Sequence, residues 1–405
     1  MENISPDELA LELLNQCLRG NAHSPDLLNA LLEMDDSRAS HALFSIVVER
    51  LADLFEPCLC DAYAALFSEV IAKTLSVGSA QDLLNRYRRI RVPRRFHGDA
   101  RTVFVLSRVT LGADVAVTSV CLDAARQRFP DAEICFAGPR KNFELFAADP
   151  RLSHAEVPYA RGGGLRQRLE AYYALKELLA RPDSIVIDPD SRLTQLGLLP
   201  VGDEDRYYFF ESRSYGEYAE DPLPALTRRW AAETFSTPGV RAYIAPRAAG
   251  PEADITVSLG VGENQAKRLG DGFERALMEE LASQGGRILV DRGGSVEEAA
   301  RVDAAIAGVA GVRTFSGAFA PFAASIAKSG LYCGYDSAGQ HVAAACGTPL
   351  LTVFAGHASA RMYQRWRPDG PGPKEVIRVE SQDPERVMEE CRRALVRLRG
   401  SATPP

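Results

Sequence analysis

Two kinds of hydrophobic spacing divide this chain of 405 residues. Up to about residue 96, apolar residues recur at the three- and four-residue intervals of amphipathic helices, as in Leu27-Leu28-Leu31-Leu32. Ser5-Pro6-Asp7 and Ser24-Pro25-Asp26 are typical helix starts, with a serine cap and a proline in the first turn. We therefore predict an all-α region over residues 1–96, with a role in docking a partner or a second copy of the chain.

From residue 101 onward, short apolar runs alternate with helical periodicity. The runs predicted as strands are 102–107, 133–137, 184–188, 207–210, 255–259, 287–290, 331–334 and 350–354. A stretch rich in Pro, Gly and Ala, residues 236–253, divides this series into two. Because alternating strands and helices indicate parallel sheets covered on both faces, we predict an α/β protein. Its two Rossmann-like domains, 97–240 and 241–405, would face a cleft and follow the all-α region.

Composition narrows this picture mainly by exclusion. The apolar fraction of 46% and the charged fraction of 25% are typical of globular proteins, and a net charge of −7 argues against nucleic acid as a partner. The eight cysteines form no C-x-x-C pair, so we interpret them as buried thiols in a reducing compartment. The acidic N-terminus is not a signal peptide and no apolar run approaches the length of a bilayer span. These features predict a cytoplasmic protein without a transmembrane segment.

Six arginines lie between residues 86 and 95, with Pro93 among them. We predict that this segment joins the helical region to the first Rossmann-like domain. One interpretation is a solvated linker whose arginines pair with nearby acids. The other is a basic patch that holds the protein peripherally at the inner membrane surface or attracts a phosphorylated acceptor.

Candidate chemistry is concentrated in residues 331–366, predicted as a strand, a polar turn, a small-residue helix and a second strand. A strand that ends at Asp336-Ser337 and continues as a helix exposes backbone N–H groups, which suit a phosphate together with the helix dipole. Asp336 and His341 bracket the turn, so a carboxylate and an imidazole would share that pocket. The alternative is an ordinary crossover in which the aspartate caps the helix and the histidine is structural.

Further candidates follow other predicted strands. After Ser258, the loop Gly260-Val261-Gly262 lets the backbone approach a diphosphate, which Lys267 would neutralise. It is not a dinucleotide fingerprint, because Gln265 stands where the third glycine belongs. In the segment Asp291 to Glu298, which includes Glu297, a carboxylate would accept from ribose hydroxyls or from a base amine. The alternative is a helix whose first turn is enriched in acids.

Asp114 follows the first predicted strand, after Gly112. At the mouth of the cleft it would act as a general base on a hydroxyl group. The alternative is a helix cap, which aspartate provides well.

Taken together, these residues resemble the heptosyltransferase-like glycosyltransferases of family nine, which have the two-Rossmann GT-B architecture. The most specific similarity lies in residues 336–349, DSAGQHVAAACGTP, which resemble the family string Asp-[ST]-Gly-x-x-His-x-Ala-Ala-x-x-Gly-[TV]-Pro, with the first glycine one position later. Gly112 and Asp114 resemble the Gly-Asp pair of the family's first turn, with Ala113 inserted. Lys267-Arg268 resembles the Lys-Arg-Trp-Pro-like segment, although Leu269-Gly270 replaces Trp-Pro. The resemblance covers residues 101 to 380.

The resemblance implies an inverting, metal-independent glycosyltransferase that moves a sugar, heptose among the candidates, from a nucleotide-diphosphate donor such as an ADP-sugar. The acceptor would be a hydroxyl of a glycan, a lipid-linked molecule or a protein, which the helical region would help to bind. Asp114 would be the catalytic base, and neither a metal nor a cofactor is implied. The implied donor-binding residues are Ser258, Gly260, Gly262, Lys267, Glu297, Glu298, Asp336, Ser337, Gly339 and His341.

Two other functions stay open at this level. Ala113 and the additional helical region favour a non-catalytic GT-B-like protein that binds a nucleotide sugar or a partner. A sugar-nucleotide epimerase of similar architecture is a third candidate.

Overall fold

The computed structural model describes residues 4–20, 23–34, 37–159, 165–262, 264–381 and 383–401. The first part of the chain is helical, as predicted. The serine caps are confirmed, because Ser5 Oγ accepts from the amide of Glu8 and Ser24 Oγ accepts from the amide of Leu27. The helices are α1 (Pro6–Leu18), α2 (Pro25–Glu33), α3 (Ser37–Ala42), α4 (Glu49–Asp53), α5 (Pro57–Thr74) and α6 (Ala80–Ile90), with a π-helical segment, Leu43–Val48, between α3 and α4.

The first Rossmann-like domain contains a five-stranded parallel sheet with the order β3-β2-β1-β4-β5. Its strands are β1 (Thr102–Leu106), β2 (Glu133–Gly138), β3 (Leu152–Glu156), β4 (Ser184–Asp188) and β5 (Tyr207–Phe209). Its helices are α7 (Leu111–Ala113), α8 (Ser119–Arg128), α9 (Arg140–Phe143), α10 (Leu165–Leu179) and α11 (Leu223–Phe235). A π-helical segment, Asp114–Thr118, joins α7 to α8.

The second domain contains a six-stranded parallel sheet with the order β11-β10-β9-β6-β7-β8. Its strands are β6 (Ile255–Ser258), β7 (Ile288–Asp291), β8 (Val312–Phe315), β9 (Leu331–Tyr335), β10 (Leu350–Phe354) and β11 (Lys374–Arg378). Its helices are α12 (Asp271–Ser283), α13 (Val296–Ile306), α14 (Phe319–Ile326), α15 (Ala338–Cys346), α16 (Ala360–Trp366) and α17 (Pro384–Ser401). The predicted α/β architecture, two parallel sheets preceded by helices, is confirmed.

The helical region shares a hydrophobic core with the first sheet. Phe104 and Leu106, on one face of β1, pack in the same cluster as the leucines of α1, α2 and α5. Val103 and Val105, on the opposite face, belong to a second cluster that continues into the other domain. The helices therefore cover one face of the first sheet. Their predicted role in docking a partner stays a prediction.

In the arginine-rich segment, some arginines pair with nearby acids, as one of the two interpretations predicts, and others contact the first sheet. Arg86 is buried and donates to the carbonyl of Gly197 at 2.8 Å, while Arg89 makes two hydrogen bonds to Glu204, at 2.9 and 2.6 Å. The guanidinium of Arg94 lies 4.7 Å from the centre of the Tyr208 ring. These three arginines fasten the helices to the first sheet, and a role at a lipid surface stays a prediction. Within the described residues, no helix has the length and apolar character needed to cross a membrane.

The two Rossmann-like domains meet at α7 and α15. A β-carbon on Gly112 would lie 3.2 Å from the α-carbon of Ala338 and 3.2 Å from Cδ2 of His341. A side chain at this position would push the neighbouring atoms apart by a few tenths of an ångström, so glycine suits so close an approach. Gly112 thus brings the turn after β1 directly against the first turn of α15.

Candidate functional site

The strand order of the second sheet reverses between β6 and β9, and their carboxyl ends lie side by side. In open parallel sheets this switch point is where ligands bind. Lys267 Nζ lies 2.6 Å from Asp336 Oδ2, and the two side chains are only 17% and 6% exposed. The structure therefore joins the loop after β6 to the loop after β9 through a largely buried ion pair.

Gln340 orients this pair, although sequence reasoning gave it no role. Its Nε2 group donates to Asp336 Oδ1 and to the carbonyl of Trp366, and its Oε1 accepts from Thr352 Oγ1 at 3.0 Å. The side chain is fully buried. The one signal in the sequence is an amide in a short helix of small, mostly apolar residues.

His341 follows Gln340 in α15 and is also buried, with its ring against Gly112. Its ring centre is 5.7 Å from that of Trp366. The pKa of His341 is lowered to about 4, mainly by burial; Asp336 opposes this shift and Lys267 adds to it. The imidazole is therefore neutral near pH 7. It can donate one hydrogen bond to a ligand and accept another, but it carries no charge.

This pKa predicts a pH dependence of stability. An unfolded histidine takes up a proton below pH 6.5, whereas native His341 takes one up only near pH 4. Stability is therefore lost as the pH falls through this window, by about 3 kcal/mol. We expect the variant His341→Gln to lose about 3 kcal/mol less than the native protein between pH 7 and pH 4, measured by urea unfolding. Parallel stability curves for the two proteins would contradict this assignment.

The first turn of α15 carries Ser337 and Gly339. The side chain of Ser337, at the N-cap position, makes no capping bond; its Oγ lies 3.2 Å from the hydroxyl of Tyr332. A β-carbon on Gly339 would lie 2.3 Å from that same hydroxyl, and Tyr332 is fully buried. Burial raises the pKa of the Tyr332 hydroxyl, and its interactions with the side chains of Ser337 and Ser258 oppose the rise. Tyr332 thus connects three predicted donor-binding residues from beneath.

Because Tyr332 has no space into which to retreat, we expect Gly339→Ala to lower the free energy of unfolding by about 1–3 kcal/mol. Gly272→Ala, at a helical glycine with open space around it, is the matched control and should change little. Equal stability of Gly339→Ala and the control in urea would show that the contact is not tight.

The loops after β6 and β7 also meet. A β-carbon on Gly260 would lie 2.2 Å from Oε1 of Glu298, whose Oε2 accepts from the amide of Gly294 at 3.2 Å. Gly262 has a positive φ of 61° and open space around it. Glu297 is fully exposed, so the structure places only Glu298 against the Gly-x-Gly loop. Of the two acids predicted for this site, Glu298 has the contacts of a site residue.

Asp114 is expected at the mouth of the cleft, but the structure buries it completely. One carboxylate oxygen accepts from Ser107 Oγ at 2.6 Å and from Asn142 Nδ2 at 2.5 Å. The other accepts from the Arg108 amide and from Thr118 Oγ1, both at 2.6 Å. Burial raises the pKa of Asp114, and these four bonds oppose the rise.

The π-helical segment begins at Asp114, directly after Ala113. A π-turn holds one residue more than an α-turn, and such turns are frequent at functional sites. The Asp114 carboxylate hydrogen-bonds back to Ser107 and Arg108 in the loop after β1. In this conformation it anchors that loop, and its role as a base stays a prediction.

No metal site is apparent among the side chains that the structure describes. In that part of the chain, no three His, Cys, Asp or Glu side chains are grouped closely enough to hold a metal ion.

Comparison with solved structures gives this architecture a class. The E. coli heptosyltransferase WaaC with ADP-2-deoxy-2-fluoro heptose is similar with a TM-score of 0.55 and 17% identity, over 73% of this chain and 99% of that one. A glycosyl transferase of family 9 from Veillonella parvula DSM 2008 is similar with a TM-score of 0.55 and 14% identity, over 75% of this chain and 100% of that one. E. coli ADP-heptose lps heptosyltransferase II is similar with a TM-score of 0.50 and 18% identity, over 73% of this chain and 99% of that one. No family model matches the sequence, and no curated protein does.

Two parallel sheets of Rossmann type joined in this way define the GT-B fold, so the predicted fold class is confirmed. More particularly, the chain has the two-domain arrangement of the heptosyltransferases and of the family-nine glycosyl transferase. At 14 to 18% identity the likeness concerns the fold, and the chemistry must be argued from the side chains.

Proposed function

We propose that this protein is a glycosyltransferase that moves a sugar from a nucleotide-diphosphate donor to an acceptor hydroxyl. One observation carries the proposal. Lys267, from the loop after β6, meets Asp336 and His341, from the turn after β9, at the switch point of the second sheet of a GT-B fold. Because the similar E. coli heptosyltransferase is described with ADP-2-deoxy-2-fluoro heptose, ADP-heptose is the first donor to test.

The donor diphosphate would bind between the loop after β6 and the first turn of α15. Gly260 and Gly262 let the backbone approach the phosphates, and Lys267 would turn from Asp336 to share its charge with them. Ser258, Ser337 and Gly339 would line the same edge. Glu298 would meet the nucleoside. Glu297, predicted to share that role, points into solvent and would contribute only charge.

We also propose that transfer inverts the sugar and needs no metal ion. The leaving group is a nucleoside diphosphate, whose developing charge requires positive groups nearby. Lys267 and the uncapped N-terminus of α15 would supply them.

Asp114 is the candidate for the proton acceptor. To act on a hydroxyl, one of its oxygens must exchange a present hydrogen bond for the acceptor's when α7 separates from α15. The burial of Asp114 instead favours the alternative function, a protein that binds a nucleotide sugar without transferring it.

The test is turnover with a panel of nucleotide sugars, ADP-heptose first, followed as release of nucleoside diphosphate with and without candidate acceptors. We expect release with at least one donor. Donor binding without release would favour the non-catalytic alternative. An epimerised donor, formed without any acceptor, would indicate an epimerase. Failure of every nucleotide diphosphate to bind in calorimetry would refute the proposal.

A further inference from the structure

A turn of the helical region, which runs from Asp53 at the end of α4 through Leu54 and Phe55 toward α5, reaches the boundary between the two Rossmann-like domains. Phe55 is fully buried, and its ring meets Trp366 edge-on with 6.0 Å between the ring centres. Its φ is +60°, a left-handed conformation that is strained for an aromatic residue. Surrounding contacts must therefore hold the turn in place.

The second domain holds one end of the turn. Ser359 Oγ donates to the carbonyl of Leu54 at 3.2 Å, and Arg361 Nε donates to the carbonyl of Phe55. Both donors follow Gly356, which packs so closely on Ala266 that a β-carbon there would lie 2.4 Å from the Ala266 carbonyl carbon. The turn thus touches the loop that lies against the segment carrying Lys267.

The first domain holds the other end of the turn. Asp53 Oδ1 lies 3.5 Å from Arg192 Nη2 and 3.3 Å from Arg213 Nη2. These arginines follow β4 and β5, at the carboxyl edge of the first sheet. Their side chains are 13% and 6% exposed, whereas that of Asp53 is 44% exposed. The carboxylate therefore covers two nearly buried guanidinium groups from the solvent side.

The polar network beneath Asp53 is incompletely paired. Among the described residues, Arg213 Nε is buried without a partner. Arg213 makes a second ion pair with the buried Asp190, one of whose oxygens is unpartnered too. Buried polar groups normally have hydrogen-bond partners, so the unpaired atoms at this site are available to bond to a ligand.

We propose that Arg192 and Arg213 form an anion-binding subsite for the acceptor, and that Asp53 occupies this subsite as an internal ligand. The acceptor group would be a carboxylate or a phosphate, because paired guanidinium groups match these oxyanions. A partly exposed ion pair is weak, so an anion in solution can displace Asp53. Displacement of Asp53 would release the strained turn. Because Ser359 and Arg361 hydrogen-bond to that turn, the loop that packs against the segment carrying Lys267 would be released as well. The acceptor assignment rests on the proposed function.

The test is calorimetric titration with inorganic phosphate. We expect Asp53→Asn to bind phosphate at least tenfold more tightly than the native protein, and Asp53→Asn with Arg192→Gln to lose that gain. Asp61→Asn is the matched control, because Asp61 is an exposed partner of Arg91 in the same region. It should bind phosphate as the native protein does. Thermal denaturation checks that each variant is folded.

Two results would overturn the proposal. If Asp53→Asn binds phosphate no more tightly than the native protein, Asp53 only fastens the helices to the first sheet. If the gain survives in the double variant, the anion binds elsewhere. Adding Lys267→Met to Asp53→Asn should leave the gain in phosphate affinity intact. That result would exclude the diphosphate site as the source of the gain. This titration involves no donor, so its failure and a failure to bind nucleotide are separate results.

Discussion

Replacing Asp114 by alanine is expected to lower the free energy of unfolding by about 4 kcal/mol, since each buried donor left unpaired costs about 1–3 kcal/mol. The carboxylate is completely buried and accepts four hydrogen bonds. The hydroxyl of Thr118 can rotate to another acceptor, but the Arg108 amide and the Asn142 side chain cannot move far. Urea unfolding at pH 7 measures the change.

Asp131→Ala is the matched control for this prediction, because Asp131 is an exposed aspartate of the same domain. Such surface substitutions usually change stability by less than about 0.5 kcal/mol. A loss below about 1 kcal/mol for Asp114→Ala would contradict the anchoring role. Together with abolished turnover, that result would instead assign Asp114 as a base exposed to the acceptor.

Replacing Lys267 by methionine is expected to weaken the binding of a nucleoside diphosphate about 100-fold, or close to 2.7 kcal/mol. Methionine keeps much of the length of the side chain and removes the ammonium group, which lies 2.6 Å from Asp336 in a largely buried position. A diphosphate at this edge would lose its main cation, and Asp336 would then repel it. Calorimetric titration with ADP measures the effect.

Lys328→Met is the control for Lys267→Met, because Lys328 is an exposed lysine of the same domain. Its affinity for ADP should match that of the native protein. Loss of folding in Lys267→Met, through the unpaired Asp336, is checked by its melting temperature. An unchanged affinity in a folded Lys267→Met protein would show that the nucleotide does not bind between Lys267 and α15.

Most of the central strands were predictable because both of their faces are buried. In β1, β4 and β10 every residue is buried, and such strands appear in sequence as continuous apolar runs. The three strands that were missed, β3, β8 and β11, lie at sheet edges and are mostly half-buried or exposed. These three edge strands are less buried than the central ones, so their apolar signal is weak; β5, an edge strand that is fully buried, was predicted.

The candidate site was predictable where one short segment carries it, as in the turn from Asp336 to His341. Contacts between distant segments were not. The four donors to Asp114 include Asn142, 28 positions away, and the arginines that Asp53 covers lie 139 and 160 positions away. Nothing in local spacing distinguishes a carboxylate that faces a cleft from one that packing turns inward.

The central claim is that the carboxyl ends of β6 and β9 hold a nucleoside diphosphate. A crystal structure of the protein soaked with ADP tests it most directly. We predict that the diphosphate lies within hydrogen-bonding distance of Lys267 Nζ and against the first turn of α15, with the nucleoside toward Glu298. A diphosphate bound at the first sheet, or no bound nucleotide at a saturating concentration of ADP, would contradict the claim.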